Sequence, residues 1–125
     1  MEQDNKINIE LDLLMDCVEK MFMIDRIKIQ SKTRKINVVY ARHAYCLLAR
    51  QETLHTLKDI GDLINRNHST IHHSIIEGEH LEEFNLVFRT RVEMCREVFR
   101  EIIKDNILKE ILDNHKNNHQ ICKVN

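Results

Sequence analysis

SKTRKINVVYARHAYCLLARQETLHTLKDIGDLINRNHSTIHHSI, residues 31–75, decides the fold. It opens on Ser31–Lys35, five polar residues without an apolar anchor, which predict a loop carrying Lys32, Arg34 and Lys35. From about Asn37 to Gln51, Val38, Ala41, Tyr45, Leu48 and Ala49 recur at the spacing of one helical side, with Arg42 and Arg50 on adjoining parts of its surface. Thr56 then reads as an N-cap, with Asp59 three residues later in capping-box position. Leu57, Ile60, Leu63 and Ile64 give a short core-facing helix, and Asn65-Arg66-Asn67 a turn. Asn67 caps a further helix to about Glu77 that buries Ile71, Ser74 and Ile75, and Gly78 permits a stop or a bend. Two short helices about a tight turn form a helix-turn-helix pattern. Its second helix begins with Asn67, His68, Ser69 and Thr70, polar side chains able to reach base edges in a DNA groove.

Charge is distributed to match. The whole chain carries a net charge of −1, yet residues 26–50 hold seven basic side chains (Arg26, Lys28, Lys32, Arg34, Lys35, Arg42, Arg50) and no acid. Phosphate responds to the local field rather than to the total, so this segment predicts a binding patch for a polyanion. Residues 1–25 carry two bases against seven acids, and residues 51–125 ten against thirteen.

Working outward, 125 residues suffice for one domain with a single core. The chain has no proline and only Gly61 and Gly78 as glycines, with no period-two runs of β-branched residues, so the class is all-α. Ile9, Leu11, Leu14, Met15, Val18, Met21 and Phe22 predict a first amphipathic helix over 8–23, after a frayed polar stretch at 1–7. Ile27 and Ile29 flank a short helical turn or an extended link. From 80 to 114, Leu81, Phe84, Phe88, Cys95, Phe99 and Ile102 form a stripe that Val87, Val92, Val98, Ile103, Ile107, Leu108, Ile111 and Leu112 broaden. As one helix this segment is long for such a domain; it either folds back at Asp105-Asn106 or projects and finds a partner helix. Residues 115–125 read as a disordered polar tail. Cys17, Cys46, Cys95 and Cys122 are far apart and never paired as CxxC, which predicts reduced, mostly buried thiols. The acidic start does not resemble a secretion signal, and no apolar run approaches the roughly 20 residues of a membrane span. The expected location is the cytoplasm, on the nucleoid.

The stretches SKTRK, ARHAYCLLARQ and LHTLKDIGDLINRNHSTIHHSI together resemble the C-terminal DNA-binding domain of the bacterial replication initiator DnaA, over about Val18 to Leu81. The resemblance implies a helix-turn-helix bundle of the Trp-repressor-like type, occupying 1–79, with 80–114 as a helical extension the family lacks. It also implies double-stranded DNA as partner and a role in replication or transcription control, in a protein of bacterial, phage or mobile-element origin. Arg34 matches the arginine that this family inserts into the minor groove; Asn67, His68 and Ser69 match its base-contacting residues in the major groove. Lys32, Lys35, Arg42, His43, Arg50, Arg66 and Thr70 are placed for phosphates. Asn67 stands where the family usually has Asp, exchanging an acceptor suited to cytosine for an amide that can pair with adenine. His43 replaces a Gln, and the turn is one residue shorter, without its Gly. No GxxxxGK[ST] occurs, so neither nucleotide binding nor the ATPase half of an initiator is expected from this sequence.

Other readings are weaker. His68 and His72 share a helical face but lack a third ligand nearby except His80, so no metal or other cofactor is assigned. No nucleophile–base arrangement stands out, so no enzyme is expected. The apolar breadth of 80–114 keeps open a homodimer, or an adaptor or inhibitor role through protein contacts.

Overall fold

The computed structural model describes the backbone of residues 2–124 and the side chains of residues 9–117. The described residues form six helices: α1 (Glu2–Phe22), α2 (Arg26–Gln30), α3 (Ile36–Glu52), α4 (Leu57–Leu63), α5 (His68–Phe84) and α6 (Leu86–Val124). No strand occurs among them.

The axle is α3. Its Ala41, Ala44, Tyr45, Cys46, Leu48 and Ala49 are wholly buried, and it touches each of the other five helices. Burial therefore extends round most of the helix, beyond the single stripe legible in the sequence. Small side chains at 41, 44 and 49 admit neighbours at close range. Gly78 serves the same end. A Cβ there would lie 3.0 Å from the His43 carbonyl oxygen and 3.1 Å from Leu47 Cβ, so α5 crosses α3 closely at this point. The glycine does not stop α5, which runs on to Phe84.

The ends of α1 and α6 fix those two helices antiparallel. Phe22 meets Phe88 edge-on at 5.8 Å between ring centroids, and the Cys95 thiol donates to the Cys17 carbonyl at 3.5 Å. Leu11, Leu14, Met15 and Val18 face Phe88, Val92, Cys95 and Phe99 in one core, each large side chain contributing roughly 1.5–3 kcal/mol by burial. Arg96 and Arg100 reach Glu52 at 3.7 and 2.6 Å, and Arg96 reaches Glu82 at 2.9 Å, tying α6 to α3 and α5. Residues 80–103 thus share the core of residues 1–79.

The break in the C-terminal region falls at Asn85, not at Asp105-Asn106. Asn85 Oδ1 accepts the Phe88 N–H at 2.9 Å and caps α6. With no glycine or proline after it, α6 runs 39 residues, about 58 Å, and the backbone is helical through the expected tail to Val124. At the other end α1 already begins at Glu2, so the backbone of 2–7 is helical rather than frayed; Met1 lies outside the described residues. Phe84, expected on the buried stripe, is 69% exposed and lies against His80. Beyond Ile103, α6 leaves the core: Ile107, Leu108, Ile111 and Leu112 are each about half exposed. Cys17, Cys46 and Cys95 are buried free thiols, as expected; the Cys122 side chain lies outside the described residues.

Candidate nucleic-acid interface

The Ser31–Lys35 loop joins α2 to α3 and is held by two arginines. Arg42, 8% exposed, donates from Nε to the Ile29 carbonyl at 2.7 Å. Its terminal nitrogens donate to the carbonyls of Thr33 at 2.8 Å, Ser31 at 2.7 Å and Lys28 at 3.3 Å. Burial, and then the neighbouring Arg66, lowers its pKa from the ordinary value, although a guanidinium remains a cation throughout the neutral range. The sequence places Arg42 against a phosphate. The structure turns it inward, because its helical position lies on the buried line through Val38, Tyr45 and Ala49 and four loop carbonyls need donors there.

Arg66 works from the opposite side. It donates to Ser31 O at 2.5 Å, to Ile64 O at 2.9 Å and more weakly to Gln30 O at 3.4 Å. Gln30 in turn donates to the Leu63 carbonyl, the last of α4, at 2.8 Å. The loop is thereby laced to the turn between α4 and α5. Arg34, Lys32 and Lys35 take no part in this lacing: all three are exposed, and among the described residues their side chains make no hydrogen bond or ion pair.

The turn itself is dictated locally. Thr56 Oγ1 accepts the Asp59 N–H at 3.1 Å and starts α4. Asn65 adopts the left-handed conformation, φ 59°, and the Arg66 N–H returns to the Gly61 carbonyl at 2.9 Å, closing the helix end in a Schellman arrangement. The Arg66 carbonyl oxygen comes to rest where a Cβ on residue 61 would be, which is why glycine is required there. Tyr45 underpins the unit by donating to the Ile60 carbonyl at 2.9 Å. Asn67 then caps α5, its Oδ1 accepting the Thr70 N–H at 3.0 Å.

One open cleft is lined by Lys32, Thr33, Arg34 and Arg42 on one side and by Asn65 and Arg66 on the other. Ser69 follows Arg66 by three residues, so at most about 11 Å of chain separates the exposed tip of α5 from this cleft. Asn67, His68, Ser69 and Thr70 are all exposed at that tip. The remaining predicted residues fall elsewhere. Arg50 is exposed in the last turn of α3, about 12 Å along the axis from Arg42. His43 faces α5 with its Nδ1 buried and unpartnered; burial pushes its pKa below the ordinary value, against the pull of Glu77, so it offers a phosphate no cation at neutral pH. Arg26 also leaves the patch, bonded to Asp12, Asp16 and Glu19 of α1 at 2.8, 3.0 and 3.1 Å. Of the seven cations in 26–50, five stay exposed: Lys28, Lys32, Arg34, Lys35 and Arg50. Sequence reasoning missed Gln30; a polar residue ending a short helix gives no sign of a partner 33 positions away.

Fold and site together define a helix-turn-helix module with a cationic arm fastened beside its second helix. Residues 11–77 match the family described as the bacterial dnaA protein helix-turn-helix, and the chain belongs to that family. The chromosomal replication initiator protein DnaA of Porphyromonas gingivalis is 29% identical over 94 residues, 74% of this chain and 20% of the relative. That of Lachnoclostridium phytofermentans is 38% identical over 71 residues, covering 56% and 16%, and that of Ureaplasma parvum 41% over 63 residues, covering 50% and 14%. The chain thus spans about a fifth or less of the length of these relatives. A match to 74% of the chain cannot end before about residue 92, inside α6.

Proposed function

We propose that this protein binds double-stranded DNA sequence-specifically, with the tip of α5 in the major groove and Arg34 in the adjacent minor groove. The observation that carries this reading is the lacing of Ser31–Lys35 to the helix-turn-helix by Arg42 and Arg66, which leaves Arg34 exposed in one cleft with Asn65 and Arg66, the turn that leads into Asn67–Thr70. A long cation in the narrow, electronegative minor groove favours A·T-rich sequence; His68 and Ser69 supply hydrogen bonds to base edges. Exposed Lys32, Lys35 and Thr70 are assigned to phosphates, which set register. The likeness to initiators of chromosomal replication supports a role in controlling replication, with transcription as the other process open to such a binder, on the bacterial nucleoid in the cytoplasm. The reading needs no catalytic step.

The test is fluorescence anisotropy against duplexes selected from a random library. Binding should weaken steeply with salt, Arg34→Ala should lower affinity, and His68→Ala or Ser69→Ala should flatten sequence preference. Duplex binding untouched by all three substitutions would defeat the reading.

A second copy is the partner best suited to the far part of α6. Reversing the segment I-L-K-E-I-L exchanges Ile107 with Leu112 and Leu108 with Ile111, so this half-exposed patch is complementary to itself when laid antiparallel, as a closed two-fold interface requires. Sedimentation of the full chain should give a dimer that Leu108→Glu with Ile111→Glu converts to monomer; a monomeric wild type at high concentration would remove it.

A further inference from the structure

We propose that Asn67 selects a keto base, guanine or thymine, at one position of the duplex site, and that helix capping enforces the choice; this rests on the DNA-binding reading above. The Asn67 side chain has one acceptor and one amino group at opposite ends of a plane. Its Oδ1 is committed inward, accepting the Thr70 N–H at 3.0 Å, and the backbone at φ −81°, ψ 167° is the extended geometry of a cap. The residue is exposed, and among the described residues its amide nitrogen makes no hydrogen bond. What faces outward is therefore the NH2 alone, two donors without a lone pair. Turning the amide over would lose the cap and set amino group against backbone N–H, so the orientation is fixed by the helix itself.

Major-groove edges divide cleanly for such a group. Guanine O6 and N7 and thymine O4 accept, whereas adenine N6 and cytosine N4 donate. A donor pressed against a donor leaves both unpaired out of water, which is the basis of discrimination. Guanine places two acceptors side by side and suits both amide hydrogens. The two-point pairing with adenine that the sequence allows needs the amide carbonyl turned to the base edge beside the amino group, and the cap turns it to the Thr70 N–H instead.

Because a keto base on one strand always faces an amino base on the other, the choice appears as the orientation of one base pair relative to the rest of the site. Library selection with the full-length chain, in wild type, Asn67→Asp and Asn67→Ser, reads it out. All three residues are strong N-caps, so the helix is kept while the outward group changes from donor to carboxylate acceptor or to a short hydroxyl. The wild type should enrich guanine or thymine on the order of tenfold at one position. Asn67→Asp should invert that pair to cytosine or adenine, with a uniform loss of affinity from its charge. Asn67→Ser should lose preference there and keep it elsewhere. The same base chosen by all three proteins, or an amino base chosen by the wild type at the position Asn67→Asp alters, would overturn the inference and leave the DNA-binding reading standing. A wild type that retains no duplex would remove both.

Discussion

Replacing Arg42 by Met separates a clamp from a phosphate contact. Three of its hydrogen bonds, to Ile29, Thr33 and Ser31, are 2.7–2.8 Å long. Bonds to a charged group contribute about 1.5–3 kcal/mol each, but the sum overstates the loss. The Ser31 and Thr33 carbonyls belong to a surface loop and can take water once it loosens. Ile29 is 0% exposed, and its carbonyl is stranded at a cost of about 1–3 kcal/mol. Removing a buried guanidinium returns part of its desolvation penalty. The net destabilisation is then about 1–3 kcal/mol, which a domain of ordinary stability, about 5–15 kcal/mol, survives. Binding must afterwards re-order the five-residue arm. If half of its roughly 1 kcal/mol per residue of backbone entropy is recovered on release, affinity falls by about 2.5 kcal/mol, some seventyfold. Urea melts give the first figure and anisotropy titrations at several salt concentrations the second. The deciding quantity is the slope of log K against log salt. Met at the exposed Arg34 should reduce it by about 0.9, whereas Met at Arg42 should leave it unchanged. A slope reduced by that unit for Arg42→Met, with stability intact, would mean that the guanidinium reaches DNA and that the clamp is wrong.

Gly61→Ala should destabilise by about 2–4 kcal/mol in urea melts, because the new methyl overlaps the Arg66 carbonyl of a turn that cannot shift without breaking the α4–α5 angle; a loss under about 1 kcal/mol would refute this. Burial holds His43 below its ordinary pKa of 6.5, so the unfolded chain takes the proton more readily and stability, complete above that pH, is lost as pH falls below it. His43→Gln should therefore show a smaller drop in urea midpoint than wild type between about pH 7.5 and 5.5, and equal drops would refute the assignment. Burial also raises the thiols of Cys17, Cys46 and Cys95, the last two to about 12. Alkylation followed by peptide mapping should find these three unlabelled in the native protein and labelled in urea; rapid native labelling of Cys46 would contradict its burial.

What the sequence made legible follows from which forces are local. The caps at Thr56 and Asn67 and the α4–α5 pair were readable because each depends on residues within one turn. The exposed arm with Arg34 was readable because five polar residues in a row have nothing to bury. Arg42 was misread because its charge suggests a surface, although its helical position already lay on the apolar line; only the spatial gathering of four carbonyls reveals the reason. Arg26 was counted into the patch for the same cause, its three acidic partners being seven to fourteen residues away on another helix. Gly78 permits a stop or a bend as far as its neighbours in sequence show, because glycine is free to do either; its use here, letting α5 approach α3, depends on a helix distant in sequence. The Asp105-Asn106 break failed because two helix-neutral residues do not stop a helix; Asn85 does so by capping the next one.

The same carbonyls explain how a chain with a net charge of −1 can present a surface to a polyanion. A loop of bare peptide exposes the negative ends of its C=O dipoles as readily as its N–H groups, and an arm so built would repel phosphate along half its length. Here the Ser31 oxygen is held by two guanidiniums and the Thr33 oxygen by one, both turned toward the protein. Arg42 and Arg66 thus act on an approaching anion without touching it, by removing the arm's oxygens from the approach and leaving Lys32, Arg34 and Lys35 to define the field outside. A neutral side chain at either clamp changes the orientation of the dipoles as well as the charge, which is why arginine, with several donors in one plane, fits both positions and lysine, with a single ammonium centre, fits neither.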